Sequence, residues 1–110
     1  MDFNKIQQLF DVTAALFEYA AVLAVAHHEK KKTGQMSSVD ELKALRDALT
    51  KAEDSYIAWH RANIALAKEN GASPSVIASL DRCFNAFHIA NVKQAKHDVS
   101  VELFNMSNSK

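Results

Sequence analysis

Apolar residues recur at steps of three and four along three long stretches of this 110-residue chain. In the first, Phe3, Ile6, Phe10, Thr13, Phe17, Ala20, Ala24 and His27 share one line. In the second, Leu42, Leu45, Leu49, Ala52, Tyr56, Trp59, Asn63 and Leu66 do so. The third line runs through Ile77, Leu80, Phe84, His88, Val92, Ala95, Val99, Leu103 and Met106. Such steps follow the 3.6-residue helical period, and no run alternates apolar and polar residues as a half-buried strand would. The pattern predicts helices over about 2–32, 38–70 and 74–105. Each would be about 45–50 Å long at the α-helical rise.

Punctuation is confined to two places, Thr33-Gly34-Gln35-Met36-Ser37 and Asn70-Gly71-Ala72-Ser73-Pro74. Gly34 and Gly71 suit the left-handed residue that follows a helix end, where a Cβ would clash. Ser38 and Glu41 have the spacing of a capping box, and Ser73-Pro74 reads as an N-cap followed by proline at the first helical position. Lys30, Lys31, Lys32 and Lys68 sit near predicted helix ends, where the dipole favours cations. Long helices joined by such short loops predict one domain, 1–110. Its expected class is all-α, an up-down-up antiparallel three-helix bundle, with Ser107 to Lys110 frayed. Size scaling sets its compact surface at about 6,000 Å².

Composition narrows the function classes. Hydrophobic residues make up 48% of the chain, with two Gly and one Pro, which excludes a disordered segment and a turn-rich β fold. Thirteen Lys and Arg balance thirteen Asp and Glu, so no basic excess points to nucleic acid or acidic lipid. Cys83 stands alone, which rules out an intrachain disulfide and a cysteine-built zinc site and agrees with a reducing, cytoplasmic setting. Residues 9–26 are apolar and end in Ala-x-Ala, yet Asp11 and Glu18 interrupt them. They are expected to be neither signal peptide nor membrane span.

The first predicted helix carries more apolar surface than one stripe needs. Leu9, Val12, Leu16, Leu23 and Val25 lie off its line, among many alanines. A helix apolar nearly all round is either central in a bundle or pressed against another chain. The expectation is self-association or partner binding, a homodimer being favoured, through Leu9, Leu16, Tyr19 and Leu23. The corresponding function is a non-catalytic interaction module: a small adaptor, inhibitor, immunity-type or chaperone-like factor.

Candidate chemistry is sparse. Tyr56, His60, Asn63, His88 and Asn91 lie on or beside apolar lines and are expected to form polar core layers that set register. Counting outward from the second turn places Tyr56 beside His88. His27 and His28 are expected at a solvated helix terminus, and Cys83 as a small core residue. There is no Glu-x-x-His and no His-x-x-x-His, so no metal or other cofactor is expected.

Two family resemblances concern the histidines. The stretch from Arg82 to His88 resembles the Arg-x4–6-His motif of HEPN ribonucleases. That resemblance implies a dimer cleaving RNA, His88 as general acid/base and Arg82 steadying phosphate charge. Cys83 stands where that family commonly has a polar residue. The stretch from His60 to Ala72 resembles the phosphorelay region of histidine-phosphotransfer domains, which implies a phosphocarrier at His60. Asn63 and Ile64 occupy the places of that family's lysine and glycine.

Overall fold

The computed structural model describes residues 3–108, apart from the side chains of Phe87, His88 and Asn108. Every element among them is helical: α1 (Phe3–Lys32), α2 (Val39–Glu69), α3 (Pro74–Cys83), a π turn (Phe84–His88) and α4 (Ala90–Asn108). The last helix thus extends past the predicted end near 105. The expected fraying at Ser109 and Lys110 lies outside the described residues.

Both turns close as their residues dictate. Gln35 N–H donates to Lys30 O at 2.8 Å and Gly34 N–H to Lys31 O at 3.2 Å. The same pair recurs as Ala72 N–H to Ala67 O at 3.0 Å and Gly71 N–H to Lys68 O at 3.1 Å. These are Schellman closures, and they require the positive φ of 76° at Gly34 and 80° at Gly71. At the start of α2, Glu41 N–H donates to Ser38 Oγ, and Ser38 N–H donates to Glu41 Oε1, both at 3.1 Å. Ser73 Oγ accepts from Val76 N–H ahead of Pro74.

α2 is the central helix. It packs against α1, α3 and α4 and buries Leu42, Leu45, Ala48, Leu49, Ala52 and Ala62. Val92, Val99 and Leu103 of α4 complete the core with Ala20 of α1. By contrast α1 buries Ile6, Thr13 and Ala20 alone among its described residues, one every second turn. Two of those three are small, and Thr13 Oγ1 meets Ser55 Oγ of α2 at 2.7 Å. The helix richest in apolar residues therefore lies on the outside. This arrangement stretches the molecule to 56 × 25 × 21 Å, with a radius of gyration of 17.1 Å. A compact chain of this length would have about 13 Å. Its surface of 7366 Å² likewise exceeds the compact expectation of about 6,000 Å².

The third predicted line is corrected at the π turn. Ile89 N–H donates to Phe84 O at 2.9 Å, five residues back. One extra residue in this turn puts Ile89, 1% exposed, on the buried line between Phe84 and Val92. His88 had been expected at that position. Asn91 is exposed rather than part of a polar core layer, because the shifted register carries it off the buried side.

Ion pairs tie the chain near the first turn. Lys30 and Lys31 pair with Glu41 and Glu102. The contact with Lys30 and the amide and hydroxyl of Ser38 hold the Glu41 carboxyl at about 2, against an ordinary 4.5. A depressed folded-state value means stability that is full above about pH 4.5 and lost as pH falls toward 2. Urea unfolding of Glu41→Gln is therefore expected to show a shallower decline over that window than the parent chain; equal slopes would contradict the assignment.

Candidate functional site

The outer side of α1 carries several exposed apolar residues. Val12, Tyr19 and Val22 are 53%, 58% and 66% exposed, with Phe3, Phe10 and Val25 exposed as well. Only 11% of the helix's most apolar 18-residue window is buried, and by length and composition alone α1 could cross a membrane. Among the residues expected to bind a partner, Tyr19 is exposed, whereas Leu9, Leu16 and Leu23 are half-buried. Leu23 packs against the core cluster. Val12 and Val22 were missed as binding candidates. Val12 was noted only as lying off the first line, though its offset from Tyr19 by seven residues marks a shared face.

A second region lies where α2 meets α3 and the π turn. Tyr56 is the hub of an aromatic layer. Its ring centroid is 5.4 Å from Phe17 and 5.1 Å from Phe84, both edge-on, and 5.5 Å from Trp59. Partial burial raises the Tyr56 hydroxyl above its ordinary pKa of 10.0. Tyr56 was expected to sit beside His88, whose side chain is outside the described residues; Phe84 is the neighbour that the structure shows.

His60 stacks flat on Phe84, with centroids 4.0 Å apart and planes 2° from parallel. Its Nε2 meets Asp81 Oδ1 at 2.6 Å, and the imidazole side chain is only 13% exposed. The imidazole is held under a ring with one nitrogen engaged by a carboxylate, and Arg61 and Lys93 line the small cleft beside it. Asn63 Nδ2 donates to Trp59 O at 3.1 Å within its own helix. These groups border a half-open cleft of about 410 Å³, which also includes Leu80 and Cys83. Cys83 is exposed at the cleft rather than in the core, because it precedes the π turn on the side away from Phe84's burial. Arg82 is exposed and donates to Ser79 Oγ at 3.2 Å, so its relation to His88 is not among the described contacts.

Asp81 and Phe84 are partners of His60 that the motif reading does not supply, although the outward count that sets Tyr56 beside His88 also sets residue 60 opposite Phe84. At the other end, His27 is not at a solvated terminus. It lies half-buried, with Nδ1 2.6 Å from Ser37 Oγ and Nε2 3.0 Å from Glu102 Oε2. His28 is exposed. Among the described residues, no group of three or more His, Cys, Asp or Glu stands where it could hold a metal ion. Compared with protein-family models, with curated proteins and with solved structures, the chain matches none.

Two outcomes follow from this geometry. A double-mutant cycle of His60→Ala and Asp81→Ala, read by urea unfolding, is expected to give a coupling of about 0.5–1.5 kcal/mol. An additive cycle would remove the pair as a clasp between α2 and α3. The folded chain is also expected to lose its Cys83 thiol stoichiometrically to a disulfide reagent without denaturant. Labelling that begins only with unfolding would return Cys83 to the core.

Proposed function

We propose that this chain is a non-catalytic helical interaction module that presents the outer side of α1 to a protein partner. The observation that carries the reading is the contrast within α1. Ile6, Thr13 and Ala20 are buried on the side that faces its own chain, while Val12, Tyr19, Val22 and Val25 stand in solvent. Burying apolar area of that kind is the general driving force of protein association, and aromatic residues such as Tyr19 dominate its energetics.

The scaffold behind that surface is, in this proposal, an up-down-up antiparallel three-helix bundle. Contacts that descend along α2 as they ascend along α1 support it: Phe10 with Trp59, Phe17 with Tyr56, Lys30 with Glu41. Lys96 with Glu53 and Glu102 with Lys31 support the placement of α4. The proposed compartment is the cytoplasm, on the argument that a chain whose lone thiol is exposed suits reducing surroundings.

The reading is tested with Tyr19→Asp/Val22→Asp. Both positions are exposed, so helical circular dichroism and thermal unfolding are expected to stay close to the parent's. In extract of the native source, the parent chain is expected to migrate in a complex and the variant as a free chain. A parent chain that migrates as a free monomer there overturns the proposal.

A further inference from the structure

The outer side of α1 carries a second heptad line. From Lys5 to Glu29 it advances alternately by three and four residues, and every position on it is exposed. Because the steps alternate, the line reads the same in both directions about position 17. We propose that it is a homodimer seam: two copies of α1 pack antiparallel around a twofold axis beside position 17. This inference rests on the reading of α1 as an interaction surface and names the occupant of that surface as a second copy of this chain.

Chemistry along the line favours that occupant and that direction. The twofold sets Val12 opposite the partner's Val22, and Ala15 opposite the partner's Tyr19. A small residue thus faces a large one in the central layers, as close packing of two helices demands. Gln8 falls opposite the partner's Ala26. At the outer ends Lys5 falls opposite the partner's Glu29, so opposite charges flank the apolar layers twice over. A parallel pairing would instead set lysine on lysine, glutamate on glutamate and tyrosine on tyrosine.

A strict seven-residue repeat also drifts around a straight helix in the sense that winds two helices into a left-handed supercoil. Area agrees too. The 7366 Å² surface exceeds the size expectation by on the order of 1,300 Å², while a stable interface hides about 800 Å² per partner. A hydrocarbon layer would have to enclose Asp11 and Glu18, both exposed on α1; in a helix pair they flank the seam beside Val12 and Tyr19, where one side of each still meets water.

The test uses the full chain in a Cys83→Ser background. Sedimentation equilibrium is expected to show the mass of two chains, and Tyr19→Glu is expected to weaken the dimer on the order of 100-fold or more. Chains carrying Val12→Cys, mixed with chains carrying Val22→Cys, are expected to cross-link to each other on mild oxidation. Neither should cross-link to itself, since ten residues of helix separate like positions by about 15 Å. Disulfides between two Val12→Cys chains would establish a parallel pair and overturn the inference. So would a monomer at every concentration, while a complex in native extract would still uphold the interaction reading. Insertion of the parent chain into neutral phosphatidylcholine vesicles, with Tyr19 fluorescence shielded from aqueous quencher, would overturn both.

Discussion

The arrangement depends on how α2 is covered. It meets α1 along one side and α3 and α4 along others, so Leu42, Leu45, Ala48, Leu49, Ala52 and Ala62 lose contact with water almost completely. Every other helix is half-covered by comparison. Burial on the order of 25 cal/mol per Å² makes the multiply covered helix the source of most cohesion. α1 is attached through a seam that touches down once in two turns, supplemented by the Phe10 and Phe17 rings against Trp59 and Tyr56. The same constraint that makes α2 the core leaves α1 with an apolar side facing out.

Polar contacts are concentrated at the two ends of the long axis. Near the first turn, His27, Ser37, Lys30, Lys31, Glu41 and Glu102 interlock. Near the second, His60 bridges to Asp81 above the Phe84 ring. The middle is held instead by aromatic edges and small residues, with the Thr13–Ser55 contact and the Lys96–Glu53 pair as polar links. Directional bonds therefore fix how the helix ends align, while non-directional packing supplies the cohesion between them. The His60 cleft has a structural explanation in the clasp itself.

Features set by near neighbours were legible in the residues alone. Both Schellman closures, the Ser38–Glu41 box and the Ser73-Pro74 start depend on a few adjacent positions, and each formed where its residues stand. The apolar surplus of the first helix was legible too, because counting off-line residues requires no knowledge of packing. Which helix lies in the middle was not. Apolar content alone points to the first helix, whereas the alternation of leucine with alanine at Leu45, Ala48, Leu49 and Ala52 lets α2 be approached from several sides. His27 was misread for a related reason: its partners Ser37 and Glu102 come from another turn and another helix, beyond local spacing. The position of Ile89 was hidden because a 3.6-residue count admits no widened turn.

That widened turn has an effect on everything after it. Each residue of an α-helix advances the direction of its side chain by roughly 100°. The single additional residue between Phe84 and Ile89 therefore acts as an angular offset, turning Val92, Val99 and Leu103 toward α2 while α3 keeps its own orientation. The two halves of this long helical segment are aimed separately, and an insertion or deletion within the widened turn would swing the distal half around its axis and carry Val92, Val99 and Leu103 away from α2.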